Sequence, residues 1–320
     1  MIPEQAQLDR FASDLDALVE PDVRIGVAVS GGPDSLALLL LAAAARPGRI
    51  EAATIDHALR VEARAEAEMV ANLCRTLALP HAILTARWDE PPATAIEERA
   101  RKERYRLLAY WAEERGLAAI VTAHHAEDQA ETVLMRLARG SGVKGLAAMR
   151  PRSIASGAHV RLVRPLLGWR RSELETICSA AGVQPVRDPS NDDEQFERVR
   201  VRRAVAEASW IDAGAVARSA AHLGDADDAL KWAADNEWRR AVEEHRERIS
   251  YRVGDAPREI VRRIVARALR RLATEGETDL RGGELDRLLA TLAEGGTSTL
   301  RGVLCTGGSV WKFIRAAPRR

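Results

Sequence analysis

Hydrophobic positions in the first half of the chain fall into two alternating textures. Short apolar runs of β type lie at 24–29, 50–55, 81–85, 117–122 and 160–163. Between them lie segments with helical spacing at 36–45, 61–79, 94–115 and 127–139. In the segment 61–79 the apolar points, at helical spacing, are Val61, Met69, Val70, Leu73 and Leu77. Such alternation predicts a parallel sheet covered by helices on both faces. From about Ser209 alanine, arginine and glutamate dominate, with Trp210, Trp232 and Trp238 among them, and the pattern is helical through Leu292. The end, STLRGVLCTGGSVWKFIRA, reads as two strands joined at Thr306-Gly307-Gly308. The expected organisation is an α/β domain over 1–209 and a mostly helical domain with a terminal β-hairpin over 210–320.

Ligands on open parallel sheets bind at the carboxyl ends of the strands. Three polar clusters fall at such ends: Ser30 to Ser35, Asp56-His57, and His124 to Glu131. The first is the string Ser30-Gly31-Gly32-Pro33-Asp34-Ser35, placed between a strand and a leucine-rich helix. A helix start carries unpaired N–H groups and partial positive charge, and glycines let the backbone approach an anion. Ser30 and Ser35 add hydroxyls, so the string predicts a phosphate cradle. This string contains neither G-K-[ST] nor G-x-G-x-x-G, so it is neither a Walker A loop nor a dinucleotide fingerprint. Asp34 suits a magnesium ion bridging it to the phosphates. The competing reading is a plain turn, with Pro33 at the first helical position and Asp34 on the helix dipole.

Charge and cysteines narrow the class further. The formal net charge of +1 over 320 residues announces no global field for nucleic acid, although arginines cluster in the second half. Cys74, Cys178 and Cys305 are far apart with no C-x-x-C, which argues against a zinc site or disulfide framework and suits a reducing cytosol. The longest apolar run, Leu36 to Ala45, is too short for a bilayer, which needs about 20 residues. The first residues are acidic and lack an apolar signal core, so a cytoplasmic protein without membrane association is expected.

The string at Ser30 to Ser35 resembles the loop of the PP-loop ATP pyrophosphatases, an adenine nucleotide α-hydrolase-like fold. Within that superfamily the other motifs are similar to those of the tRNA(Ile)-lysidine synthetases. Asp56-His-Ala-Leu-Arg60 resembles their D-H-G-L-R, with alanine for glycine. His124-His-Ala-Glu-Asp-Gln-Ala-Glu-Thr132 resembles H-H-x-D-D-Q-x-E-T, with Glu127 in place of the first aspartate. Further matches are Glu97 to Tyr105 (E-x-x-A-R-x-x-R-Y), Arg139 to Leu146, Arg164 to Leu167, Arg187 to Asn191 and Phe196 to Arg202. In the last, Phe196 and Val199 stand where the family usually has tyrosine and asparagine. The ordered motifs cover about the first two-thirds of the chain.

The resemblance implies an enzyme that uses ATP and magnesium to activate the wobble cytidine of tRNA(Ile) with a CAU anticodon. Free L-lysine is then joined to carbon 2 of that cytidine. ATP is expected at Ser30, Gly31, Gly32, Pro33, Asp34 and Ser35, with Asp56 near its base and Asp34 on magnesium. On one continuous helix His124, Asp128 and Glu131 would share a face. Asp128 and Glu131 are expected on the amino groups of lysine, with magnesium ligation as the competing use. His124 or a carboxylate is expected to serve as base, and Arg104 to lie on phosphate or the adenylated base. Arg139, Lys144, Arg198, Arg200, Arg202 and Arg203 are expected on tRNA. A homodimer is the other role open to the C-terminal third. The rival functions are another PP-loop tRNA-modifying or amidating enzyme, or a non-catalytic protein that binds nucleotide and tRNA.

Overall fold

The computed structural model describes residues 3–58, 62–88, 96–155, 159–186, 195, 197–273 and 282–316. The Leu59-Arg60 end of the second motif, the motif at 187–191 and Phe196 therefore lie outside the described residues. Asp192, Asp193 and Glu194 also lie outside the described residues. By internal contacts the chain divides into two units, Met1–His222 and Leu223–Arg320.

The first unit opens with α1 (Gln5–Asp16), then β1 (Ile25–Ala28), α2 (Pro33–Ala45), β2 (Ile50–Asp56), α3 (Glu62–Thr76), β3 (His81–Thr85), α4 (Ile96–Glu114), β4 (Ala119–Val121) and α5 (Ala126–Ala138). It continues with α6 (Val143–Leu146), β5 (Arg152–Ile154), β6 (Arg161–Val163), α7 (Arg171–Ala180), α8 (Glu197–Glu207) and the first part of α9 (Ala213–Ala241). Its six-stranded sheet has the order β3-β2-β1-β4-β6-β5. All neighbours are parallel except β5, which runs antiparallel to β6. The five expected strands are present. The added edge strand β5, Arg152-Ser153-Ile154, carries a single apolar residue and so leaves no apolar run in the sequence.

Side chains alternate between two cores across this sheet. Ile25, Val27, Ala119 and Val121 face a core completed by α1, α2, α3 and α7, where Phe11, Leu36, Val70 and Trp169 are buried. Ile120, Ala53 and Leu162 face the other side, where α4 supplies Tyr105, Leu108 and Trp111. α2 has almost no polar face because it is covered on all sides: Leu36 to Ala42 are buried without interruption. Gly26 sits in the central strand because the Trp111 ring of α4 lies directly over it. A Cβ there would come within 2.5 and 2.7 Å of the Trp111 ring carbons.

In the second unit, β7 (Val242–His245) and β8 (Arg248–Tyr251) precede α10 (Arg258–Leu272), α11 (Gly282–Ala293), β9 (Thr297–Leu300), β10 (Val303–Thr306) and β11 (Trp311–Arg315). The strands form an antiparallel sheet of order β7-β8-β11-β10-β9. The terminal hairpin is thus the centre of a five-stranded sheet. The helical expectation through 242–251 is corrected, because Ile249 and Tyr251 alternate inward beneath a run of charged residues that hides the period. Ile249, Tyr251, Val303, Cys305 and Phe313 pack on Ile264, Val265, Leu269 and Leu288 of α10 and α11. Of the three tryptophans only Trp238 is core, 7% exposed, whereas Trp210 and Trp232 are open to solvent.

Gly26→Ala tests the sheet packing directly. Overpacking against a fixed aromatic ring is expected to lower stability by about 1–3 kcal/mol. The readout is the denaturant midpoint, and an unchanged midpoint would refute the close approach.

Candidate active site

The loop after β1 is a closed backbone turn at the head of α2. Gly31 has φ +85°, in the left-handed region that glycine tolerates, and its carbonyl accepts a hydrogen bond from the Val186 N–H at 2.9 Å. Gly32 is extended and caps α2, with Pro33 at the first helical position. The Ser35 hydroxyl accepts the Ser30 N–H at 3.1 Å and donates to the Gly32 carbonyl at 3.0 Å. Ser30 Oγ lies 3.2 Å from it. Ser35 is buried and builds the cradle, while Ser30 stands at its rim. The free N–H groups of the first turn of α2 remain available to an anion.

Asp34 gives this cradle its acid. One of its carboxylate oxygens, Oδ1, is buried and has no hydrogen-bond partner. The other lies 3.5 Å from Nε2 of His125. An orphaned carboxylate oxygen beside a phosphate cradle fits a metal ligand. Among the described residues no three His, Cys, Asp or Glu side chains converge as a metal cage. Magnesium commonly binds through one or two carboxylates, water and substrate phosphates, a donor set that the Asp34 carboxylate fits.

His125 is the residue that sequence reasoning left without a role. It caps α5 in an extended conformation, and its N–H donates to Asp128 Oδ2 at 3.0 Å. Its Nδ1 meets Glu127 Oε2 at 2.9 Å, and its Nε2 faces Asp34 and Asp128, each at 3.5 Å. Burial works against its charge, but bonds to Asp34 and Glu127 and the nearby Asp128 outweigh it. They raise its pKa from 6.5 to about 10. His125 is therefore a buried cation that ties the head of α5 to the head of α2. Glu127 also accepts the Arg171 N–H, at 3.0 Å, which brings in α7.

The expected stripe of His124, Asp128 and Glu131 is divided. α5 begins at Ala126, because the capping arrangement needs His125 extended, so His124 lies in the loop before the helix. Its Nδ1 lies 3.0 Å from Thr122 Oγ1. Burial, aided by the charges of Arg164, Arg101 and Arg198 against that of Asp128, pushes its pKa down to about 3. His124 is neutral at physiological pH and a weak proton acceptor. Asp128 and Glu131 do share a face, and α8 lies against it. Arg198 reaches Asp128 Oδ1 at 2.5 Å and Glu131 Oε2 at 2.6 Å, and Arg202 reaches Glu131 Oε1 at 2.8 Å. The two expected lysine-binding acids and two of the expected tRNA-binding arginines are thus partners here.

The remaining expected residues lie around this centre or apart from it. Asp56 ends β2, buried, with Oδ1 accepting the Ala58 N–H at 2.9 Å. Ala58 has φ +52°, which accounts for the glycine that the family pattern carries at this position. Arg104 is exposed on α4. Arg139 pairs with Glu197, Lys144 is exposed on α6, and Arg200 and Arg203 are exposed on α8. Gln129 makes a two-point bond to Met149, donating to its carbonyl and accepting its N–H, each at 2.9 Å. No helix among the described residues is long and apolar enough to cross a membrane.

A parallel sheet whose central strand enters a glycine cradle and a helix start bearing an orphaned acid is a nucleotide site of the PP-loop class. Residues 3–209 match the family described as PP-loop domain. A tRNA(Ile)-lysidine synthase of Novosphingobium aromaticivorans is 47% identical over 97% of this chain and 94% of its own length. One from Zymomonas mobilis is 42% identical over 93% of this chain and 90% of its own. The chain belongs to the tRNA(Ile)-lysidine synthase family. Among solved structures, the U34-tRNA thiolase NcsA from Methanococcus maripaludis, with its [4Fe-4S] cluster, shares the fold. It has a TM-score of 0.57 and 14% identity, and the match covers 68% of this chain and 78% of that one.

The His125 cation has a pH signature. Its folded pKa is raised, so its contribution to stability is complete below 6.5 and is lost as pH rises through about 10. In EDTA, the wild type should lose thermal stability between about pH 6 and pH 10 by more than His125→Gln does. Parallel curves would show that the imidazole carries no charge in the folded protein.

Proposed function

We propose that the chain ligates lysine to carbon 2 of the wobble cytidine of tRNA(Ile) bearing a CAU anticodon. The carbonyl oxygen at carbon 2 of the cytidine is first adenylated by ATP with release of pyrophosphate, and AMP then leaves as the lysine amine bonds to carbon 2. The observation that carries this reading is the joined centre of phosphate cradle, orphaned Asp34 and acidic α5 face within a family of that name. ATP is a substrate, with its phosphates at the Gly31–Asp34 backbone and its base toward Asp56 at the neighbouring strand end. The cradle N–H groups are fixed before reaction and aim at charge that develops on the leaving pyrophosphate. Magnesium, when bound, supplies Lewis-acid polarisation of phosphoryl oxygen, and Asp34 would hold it.

The amine donor is free L-lysine, and the support for its place is the taste of the α5 carboxylates for cations. Asp128 and Glu131 hold guanidinium groups in this structure. An ammonium group is the same kind of ligand, a multidentate cationic donor. Burial opposes ionisation of Asp128, but the charges of His125 and Arg198 hold its pKa below the usual carboxylate range. It stays ionised and available to orient an amine. His124, neutral and bonded to Thr122, serves as a hydrogen-bonding neighbour to the reacting base. The proton released by the attacking amine goes to a carboxylate or to water. The three cysteines are each free and buried, which opposes the thiolase reading of the fold. They also suit a reducing cytoplasm. The C-terminal unit is assigned to tRNA, with self-association as its alternative.

Incubation with ATP, labelled lysine and tRNA(Ile) transcripts differing only at the wobble base tests the activity. Label is expected in the cytidine transcript alone, and equal labelling of all transcripts or of none would reject it. Asp34→Asn should reduce turnover by at least about a hundredfold in a folded protein, as expected for a group acting on transition-state charge. Asp128→Asn should raise the lysine requirement about tenfold, the loss of one charge-assisted bond, with little change in the ATP requirement. The reverse pattern would assign Asp128 to magnesium.

A further inference from the structure

One peptide unit just beyond β2 is held at both of its polar ends. The Ala58 N–H donates to Asp56 Oδ1 at 2.9 Å, and the His57 carbonyl accepts the indole N–H of Trp88 at 2.8 Å. That N–H and that carbonyl belong to one amide plane, so the two bonds together fix its orientation. Trp88 arrives from the neighbouring strand. Asp56 pairs with Thr85 at the end of β3, and the Asp56 carbonyl accepts the Ala86 N–H at 2.8 Å. The chain after β3 therefore runs on beside the end of β2 and brings the half-buried Trp88 to it.

The held peptide leads into a conformation that alanine disfavours. Ala58 has φ +52°, where its Cβ crowds the following carbonyl. Among the described residues Ala78, Ala148 and Arg301 also have positive φ. Ala78 and Ala148 follow the ends of α3 and α6, and Arg301 lies in the turn between β9 and β10. There a left-handed residue closes a helix or a hairpin. Ala58 follows a strand whose neighbour β3 is parallel, so it closes neither. A rotation of the His57–Ala58 plane would return Ala58 to the ordinary region, at the loss of both hydrogen bonds. Asp56 and Trp88 oppose that rotation, and Trp88 does so from beyond a different strand.

The place of this peptide gives the clamp its meaning. β2 lies parallel to β1, with Ala53 next to Ala28, and the Val29 N–H donates to the Ala53 carbonyl at 2.9 Å. β1 leads into the phosphate cradle, and β2 runs on past Ala53 to Asp56. The clamped plane thus sits at the carboxyl end of the strand beside the cradle, where an open parallel sheet takes its ligand. We infer that Trp88 is a positioning residue for the base end of the ATP site: through the His57 carbonyl it holds the turn after β2 in the one shape that the nucleotide base meets. The inference rests on the proposed reading that the base lies toward Asp56. Glycine would adopt this turn unaided, whereas alanine needs the indole to keep it.

The test compares ATP with tripolyphosphate, which has the phosphates and no base, each titrated calorimetrically with magnesium into the full chain. Trp88→Phe keeps an aromatic ring and removes the N–H. It should weaken ATP binding about three- to tenfold, the loss of one hydrogen bond, and leave tripolyphosphate binding unchanged. Ala58→Gly added to Trp88→Phe should recover most of the ATP affinity, because glycine takes the positive φ without help. Unchanged ATP affinity in Trp88→Phe overturns the inference. An equal loss for both ligands also overturns it, since Trp88 would then support the fold at large. So does a failure of glycine to rescue, because a ring that only packs gains nothing from a change at Ala58. Equal wild-type affinity for the two ligands would reject the placement of the base, and the role of Trp88 with it. Neither tRNA nor lysine is present, so a failed ligation assay leaves these outcomes readable.

Discussion

A charged imidazole buried between three carboxylates holds the catalytic half of this protein in register. His125 meets Asp34 from α2, Glu127 and Asp128 from α5, and through Glu127 the start of α7. Helices α2 and α5 follow different strands, and their polar heads would otherwise repel through their acids. One buried positive charge turns that repulsion into attachment. The network continues outward, since Asp128 and Glu131 take Arg198, and Glu131 takes Arg202. The cradle, the acidic face and α8 are thus links of one alternating chain of charges. A single uncompensated substitution within it leaves a buried charge without a partner, a defect that costs several kcal/mol.

Much of the first unit was legible because its periods are long or its boundaries chemically marked. β3 lies at the expected residues, His81–Thr85, and Pro33 starts α2 where a proline belongs. The cradle was legible from glycine, proline and aspartate in one short string. The role of His125 was not, because two adjacent histidines look alike in sequence and only the helix start separates them. The extended cap turns His125 inward toward the acids and leaves His124 by Thr122. The pairing of Asp128 and Glu131 with Arg198 was hidden for another reason. It joins residues about 70 positions apart, and no local spacing reports such a contact.

In the second unit the helical texture was real, yet β7 and β8 escaped notice. Glu243, Glu244, Arg246, Glu247 and Arg248 are good helix formers by propensity, and tertiary pairing with β11 overrides them. Arginine density by itself does not report a free basic surface, since several of those arginines pair with Asp and Glu within the unit.

The Ser35 hydroxyl has a kinetic meaning. It bonds Ser30 and Gly32 at once, so the phosphate loop is closed by its own side chain before any nucleotide arrives. Gly31 is tethered in addition to Val186. Ligand binding to a disordered loop includes a search through backbone conformations, and much of the interaction energy is consumed in stopping that search. A preformed socket omits the step. On the proposed assignment of this loop to ATP, the approach of the nucleotide is governed by diffusion and by the stripping of water from its phosphates, with no waiting time for the loop to find its shape.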